Sequence, residues 1–374
     1  MTRLKSPYLA AFFCYTLVGF FGPACAQEPQ EPPTVEEIQA AESAPLFSSQ
    51  EVLQITLQAD FHTIRREDRS DKDSEERPAV MSWTNPDGSV ETQDVQVQTR
   101  GIFRLSKRNC DFPPLRLNVK KGQVEGTLFD GQDKLKMVAP CKLGQDYWQQ
   151  YVIAEYLVYR MFNVLAEESF RVRPIQVTFT DTSGEDDEFT RIGFLLEDNA
   201  ALATRKGGWK VDWDTQYQFD PRLLEKHQAI LVDVFQFMIG NTDWSGVQMH
   251  NVELIHSPPT TYHTVPYDFD FSGIIDTRYA NPDESLGLRS VRERRFRGIC
   301  PEDVFRSGED YEAVFEEFRQ KKEELYDLWR NQEGLDERRL ERTLDYLDDF
   351  YEILDDPRRV QIRMMNHCRP LRGG

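Results

Sequence analysis

Alternating apolar and polar residues dominate the first third of the chain and predict β-strands there. Residues 51–61, "EVLQITLQADF", place apolar side chains at every second position, which is typical of a strand with one buried face. The sequence "NPDGS" favours a tight hairpin turn. Strands are predicted at 51–61, 79–84, 91–101, 113–119 and 134–139. Residues 50–140 are therefore expected to form an antiparallel sheet.

The pattern then changes to helical spacing. Residues 146–168 repeat apolar side chains at intervals of three and four, and 221–239 does so after an initial proline, Pro221. The tail, 310–354, predicts two charged amphipathic helices separated near Gly334. These segments predict a mostly helical second half.

Two further hairpins interrupt the helices, at 173–198 and at 252–267. We therefore expect an α+β protein with two lobes. An N-terminal β-rich lobe with one helix would span 49–199, and a C-terminal helical lobe with a polar hairpin would span 200–374. A cleft between such lobes, near residue 200, is the expected place for a ligand.

The N-terminus is typical of a secretory signal. Two basic residues precede the short apolar run "YLAAFFCYTLVGFF", and "ACA" at 24–26 predicts cleavage after Ala26. Cys25 leaves a lipid-anchored alternative open. Residues 27–48, rich in Pro, Glu and Gln, predict a disordered linker. We expect an exported protein, periplasmic or extracellular, with no integral membrane segment after signal cleavage.

Cysteine usage agrees with export. Four cysteines remain beyond residue 26, and an even number favours disulfides in an oxidising compartment. We favour the pairs Cys110–Cys141 and Cys300–Cys368, because each lies within one half of the chain. A zinc site is the alternative, but no C-x-x-C spacing supports it.

Charge narrows the choice of partners. The chain has 374 residues and a formal net charge of −19, which argues against nucleic acid as the main ligand. The nearest approach to a basic patch is "RSVRERRFRG", 289–298, which we interpret as a solvated strand or loop with local salt bridges. Hydrophobic residues make up 39% of the chain, enough for a substantial core.

Two polar segments carry the candidate chemistry. "GNTDWSGVQMHN", 240–251, and "YDFDFSG", 267–273, stand at either end of the second hairpin, which brings its two ends together. Asp243, Asn251 and Asp268 can therefore converge. Carboxylate and amide oxygens are the ligands that Mg²⁺ prefers, and phosphoryl transfer needs such a metal beside a carboxylate. The alternative is that these residues only form turns and a helix cap.

These motifs resemble the CotH spore-coat kinase family and, more distantly, HipA-type and lipid kinases. The likeness lies in "GNTDW…HN…YDFDFSG" and extends upstream through "QTRGIFR" to "PPLRLNVKKG…LFDGQDKLKMV", covering roughly 95–275. The resemblance implies a two-lobed protein-kinase-like fold. It also implies Mg or Mn with ATP or another nucleotide as cofactors, and a protein or small-molecule acceptor.

The resemblance also implies residue roles. Asp243 would be the catalytic carboxylate near the acceptor hydroxyl. Asn251 and Asp268 would hold the metal, with Asp270 orienting or joining that site.

Other residues would serve the nucleotide. Arg116, Lys134 and Lys136 are the candidates for holding phosphates, Glu155 would pair with that cation, and Glu197 would face the adenine.

The sequence leaves several functions open. The chain departs from the family pattern at 101–109, which lacks the small Asn-Ser pair and any G-x-G-x-x-G motif. We expect an exported atypical kinase that phosphorylates a hydroxyl. A catalytically inactive, pseudokinase-like binding or scaffold protein of the cell envelope is the alternative. A nucleotidyl transferase and a carboxylate-based glycan hydrolase are also considered.

Overall fold

Seven strands close into a barrel in the computed structural model, which describes residues 31–66, 75–101, 103–214, 216–302 and 305–371. The predicted signal peptide lies outside the described residues. The barrel strands are β1 (Leu53–Ala59), β2 (Arg77–Thr84), β3 (Val90–Thr99), β4 (Leu115–Asn118), β5 (Lys134–Val138), β6 (Val172–Asp181) and β7 (Phe189–Leu196). Their order around the barrel is β1-β2-β3-β4-β5-β7-β6.

The alternation of the strand sequences builds the barrel interior. Every second residue of β1 is buried, and β4 buries Leu115 and Leu117 while Arg116 lies on the other face. Successive side chains of a strand point to opposite faces, so one face of each strand fills the barrel. Trp83 and Phe129 pack edge to face in this core, with ring centroids 4.8 Å apart.

The predicted two-lobed protein-kinase-like fold is wrong. That fold required an N-terminal lobe built on an antiparallel sheet, whereas the barrel is closed and β1 pairs in parallel with β6. The hairpin β6–β7, which follows a long helix in the chain, fills the gap between β5 and β1. Alternation indicates which residues face a core but not which strands become neighbours. The coarser α+β assignment holds.

The described ranges contain eight α-helices, and the longer ones supply most of the helical part of a second core. The eight helices are α1 (Val35–Glu42), α2 (Phe61–Arg66), α3 (Trp148–Leu165), α4 (Asn199–Arg205), α5 (Lys226–Ile239), α6 (Gly308–Arg330), α7 (Glu337–Leu354) and α8 (Pro357–Arg363). A three-stranded antiparallel sheet, ordered β10-β9-β8, comprises β8 (Trp209–Val211), β9 (Val252–Ser257) and β10 (Thr261–Pro266). Helix α1 lies within the segment predicted as a linker.

Helix α5 ends at a glycine that directs the first polar segment. Gly240 has φ 66°, a left-handed conformation that glycine adopts readily. A Cβ atom at this position would also collide with the hydroxyl of Tyr346 on α7. The chain therefore turns sharply at Gly240 and leaves α5 towards Asp243.

Both predicted disulfides are confirmed. Cys110 pairs with Cys141, and Cys300 pairs with Cys368, with Cα atoms 4.8 Å apart in each case. The first links the segment after β3 to the one after β5. The second holds residues 368–369 against 298–300, where Cys300 N also donates to Arg369 O.

None of the helices in the described ranges has both the length and the apolar character needed to cross a membrane.

Candidate functional site

The hairpin β9–β10 brings the two polar segments together. The strands pair from Val252↔Pro266 to Ser257↔Thr261, so the residues just outside the open end of the hairpin are neighbours. The backbone amide of Tyr267 donates to the carbonyl of Asn251 at 3.1 Å. Asn251 and the segment that starts at Tyr267 therefore lie side by side.

Asp243 is held from two sides but remains accessible. The Asn251 amide Nδ2 donates to the backbone oxygen of Asp243 at 2.7 Å and to its Oδ2 at 3.1 Å, while His250 Nε2 lies 3.1 Å from Oδ1. The Asp243 side chain keeps 45% of its surface exposed. The hydrogen bond with Asp243 raises the pKa of His250. Asp243 is thus an oriented, solvent-facing carboxylate beside a histidine that favours its charged form.

Two residues of the site have left-handed backbones. Asn251 has φ 51° and Asp268 has φ 60°. Asn and Asp tolerate this region better than other residues with a Cβ, but it still costs free energy, and such strain is concentrated at functional sites. The conformation at Asp268 is secured by its amide, which donates to the Tyr159 hydroxyl of α3 at 3.0 Å.

A largely buried arginine, Arg104, organises the other acids. Arg104 donates to Asp270 Oδ2 from Nε at 3.1 Å and from Nη2 at 2.5 Å. The same Nη2 lies 3.6 Å from Glu155 and 3.7 Å from Asp268. Tyr279 adds a hydrogen bond to Asp270 at 2.8 Å. One guanidinium therefore joins three carboxylates from α3 and from 268–270.

Sequence reasoning did not select Arg104. It lies in the turn Phe103–Leu105, inside the motif "QTRGIFR" that resembles a strand and loop of the kinases. We expected Glu155 to pair with Arg116, Lys134 or Lys136. In the structure it forms an ion pair with Arg104 instead.

Burial raises the pKa values of two acids in this cluster. The pKa of Glu155 is raised to about 8, chiefly by burial on α3. Partial removal from water and the neighbouring charge of Asp270 raise the pKa of Asp268 to about 6. Half of the Asp268 side chain, 52%, remains exposed, so its carboxylate is available to a ligand. A cation at Asp268 would relieve this concentration of negative charge.

Lys136 lies behind Tyr267. Its Nζ is 5.1 Å from the centre of the Tyr267 ring and donates to Asn199 Oδ1 at 3.0 Å. Burial, followed by the nearby charge of Arg100, lowers the pKa of Lys136 to about 8. Arg116 is its register partner on β4, so both face the same side of the barrel wall.

The other two predicted nucleotide residues have different surroundings. Lys134 is exposed on β5, where its register partner is Asn118. Glu197 is buried and forms an ion pair with Arg205 at 2.9 Å. Glu197 also accepts a hydrogen bond from the backbone amide of Arg171 at 3.0 Å, so both of its carboxylate oxygens have partners within the protein.

A cleft of about 280 Å³ opens at Asp243. We call it the Asp243 cleft. His250, Phe271 and Arg297 also line it. Arg297 donates to the backbone oxygen of Thr242, which fixes the Arg297 guanidinium beside the residue that precedes Asp243. The Asp243 carboxylate therefore faces a space large enough for part of a ligand.

The donor set suits a hard cation, although it is small. In the described ranges, no three His, Cys, Asp or Glu side chains form a group suited to hold a metal ion. Asp270 is taken by Arg104 and Tyr279. Asp268 remains, and Asn251, whose Nδ2 faces Asp243, keeps its Oδ1 for another partner. One carboxylate and one amide oxygen fit Mg²⁺ bound chiefly through phosphates and water.

Comparison with protein-family models and with curated proteins finds no match for this chain.

Proposed function

We propose that this protein transfers a phosphoryl group from a nucleotide bound with Mg or Mn to a hydroxyl acceptor. The observation that carries the proposal is the position of Asp243, an exposed carboxylate oriented by Asn251 and His250 at the open end of the hairpin that also presents Asp268. The likeness of 240–273 to the CotH family motifs supports the same chemistry.

Asp243 would accept the proton of the acceptor hydroxyl. Its two oxygens are fixed by neighbouring side chains, and the Asp243 cleft gives an acceptor access to it. A general base must reach the proton that it removes, and a fixed carboxylate at a surface cleft meets that requirement. Asn251 would thus have two tasks, since its amide nitrogen orients Asp243 and its oxygen would bind the metal.

Asp268 and Asn251 Oδ1 would hold the metal, which would neutralise phosphate charge when bound. Asp270, predicted as a third ligand, instead holds Arg104 in place. Lys136, protonated below pH about 8, supplies positive charge behind Tyr267 for the phosphates. Glu155 keeps Arg104 near Asp268.

A non-catalytic binding protein is the second candidate. One observation favours it: Arg104 and Tyr279 occupy Asp270, so the metal would have a single carboxylate from 268–270. Such a protein would bind a nucleotide or a partner without turnover.

Calorimetric titration of the oxidised protein with ATP and Mg or Mn tests the proposal. We expect metal-dependent binding that Asp268→Ala abolishes and Asp345→Ala, an exposed acid on α7, retains. Folding of each variant is checked by circular dichroism. Equal binding by wild type and a folded Asp268→Ala variant would remove the site assignment.

Turnover is tested separately with ATP labelled at the γ- or the α-phosphate. Label transferred from the γ position, lost in Asp243→Asn with nucleotide binding intact, is the expected result. Transfer of the α label would indicate nucleotidyl transfer, and binding without transfer of either label would favour the non-catalytic candidate.

A further inference from the structure

One large cleft of the described residues is positively charged, against the net charge of the chain. It measures about 820 Å³ and is bounded by the start of α3, residues 274–278 and the start of α7. Its arginines are Arg278, Arg292, Arg338, Arg339 and Arg342. Its carboxylates are Asp146, Asp276 and Asp336. We call it the arginine cleft, and its excess of cations stands out in a chain of net charge −19.

Separate contacts hold the arginines apart. Arg278 donates to the Tyr147 hydroxyl at 3.0 Å, and Arg342 pairs with Asp276 at 2.6 Å. Arg339 donates to a backbone oxygen, that of Ile275, at 2.7 Å. Guanidinium groups distributed in this way match a ligand with several spaced anionic groups better than a single small anion.

Folding stability does not account for one of these arginines, Arg338. Arg338 and Arg339 stand in the first turn of α7, after the N-cap Asp336. The helix dipole disfavours positive side chains at this end. Arg338 is exposed and makes no hydrogen bond or ion pair through its side chain within the described ranges. An anion in the cleft would supply Arg338 with a partner.

The wall of the cleft is partly apolar. Its accessible apolar surface comes from Ile192, which is half-buried, and from the stems of the arginines, because Tyr151, Ile153 and Ile274 are buried. A peptide that mixes acidic and apolar side chains can bury the latter here, whereas a heavily sulfated sugar has no comparable groups. The combination of arginines with apolar surface favours a peptide.

One aromatic ring, that of Tyr279, lies between residues of the arginine cleft and of the Asp243 cleft. Phe271, which lines the Asp243 cleft, lies 5.7 Å from the Tyr279 ring, and Tyr279 lies 6.4 Å from Tyr151 in the arginine cleft. A bound chain of a few extended residues, at about 3.3 Å each, can reach from one cleft to the other.

We propose that the arginine cleft binds an acidic segment of a partner protein. The segment carries several Asp or Glu side chains interspersed with apolar ones. Its binding is independent of nucleotide chemistry, whereas its further role, presenting a neighbouring hydroxyl to Asp243, rests on the proposed function.

Fluorescence anisotropy tests the docking without nucleotide. The probe is a labelled peptide with alternating Glu and Leu, and its counterpart has Lys in place of Glu. We expect saturable binding of the Glu peptide only, weakened as salt rises, because charge pairs between exposed groups are screened. Combining Arg338→Glu with Arg342→Glu should weaken binding at least tenfold. Reversal of Arg358 and Arg363, exposed arginines on α8 outside the cleft, should leave it within twofold.

Each outcome decides the proposal. If the charge-reversed variant does not fold, Arg338→Gln with Arg342→Gln replaces it, and a loss of at least threefold is expected. No saturable binding of the Glu peptide, or equal binding by the folded cleft variant, would overturn the docking proposal. Binding of a sulfated oligosaccharide in preference to the peptide would overturn it too. The ATP titration, run on the same wild-type sample, reports on the proposed function alone.

Discussion

Replacing Arg104 by Met should destabilise the protein much more than the same substitution of Arg319, an arginine that has equally many carboxylate partners but whose partners lie at the surface. Arg104 contacts Asp270, Glu155 and Asp268. Arg319 on α6 also contacts three carboxylates. The two substitutions remove the same side chain and differ in how far the partners are buried.

The magnitude follows from that burial. The side chains of Arg104, Glu155 and Asp270 are 14%, 5% and 6% exposed. Removing one partner of such a buried pair leaves an uncompensated charge and costs about 3–5 kcal/mol. The partners of Arg319 are 64%, 54% and 62% exposed, so its loss should cost about 0–1 kcal/mol.

Urea denaturation of both variants at pH 8 and pH 5.5 measures the difference. The Arg104→Met loss should shrink at pH 5.5, because Glu155, whose pKa is raised to about 8 chiefly by burial, is then protonated and a neutral acid is cheaper to bury without its cation. Adding Asp270→Asn to Arg104→Met should recover part of the stability at pH 8. A pairwise coupling above about 1 kcal/mol is expected for groups in direct contact.

Two results would refute this reasoning. One is a loss below about 1 kcal/mol for Arg104→Met at pH 8, which would mean that water reaches the acids and replaces the arginine. The other is an equal loss at both pH values, which would mean that packing of the arginine stem, rather than its charge, stabilises the cluster.

Three further predictions concern the frame of the site. Gly240→Ala should lower the stability measured in a thermal melt by more than about 2 kcal/mol, since its Cβ atom would collide with a tyrosine hydroxyl of α7. Gly287→Ala is the control, because Gly287 has a similar φ of 62° but open space around it, and it should cost about 1 kcal/mol. Equal losses of stability would contradict the packing argument. Replacing Cys300 and Cys368 together by Ala should lower the free energy of unfolding by about 4 kcal/mol, the chain-entropy value for a separation of 68 residues. A loss below about 1 kcal/mol in urea would show that the unfolded variant keeps these two segments close together without the disulfide. Glu155→Gln should flatten the pH dependence of unfolding. Because the pKa of Glu155 is raised in the folded state, this acid stabilises the wild type at low pH, and the contribution is lost as the pH rises from about 4.5 to about 8. The variant should therefore gain more than about 1.4 kcal/mol relative to wild type across that range, and parallel stability profiles would refute the argument.

Within the site, local sequence predicted some contacts and missed others. Asn251 and the segment at Tyr267 could be placed together in advance, because a hairpin joins its own two ends. The environment of Asp270 could not, since its partner Arg104 is distant in the chain and comes from a short turn with no periodic pattern. The local sequence around Glu197 likewise indicates only the end of a strand, and its ion pair with Arg205 is evident only from the fold.

The sequence by itself determined most of the strands, the longer helices and the hairpins, because these follow from periodicity and turn chemistry. It favoured the two disulfide pairs that the structure confirms, although four cysteines allow three pairings. Only the tertiary structure decided that β6 runs parallel to β1 and closes a barrel, and that five arginines line one cleft. Strand neighbours and charge clusters depend on which surfaces bury most apolar area together. That is a property of the whole chain, which no local window of residues contains.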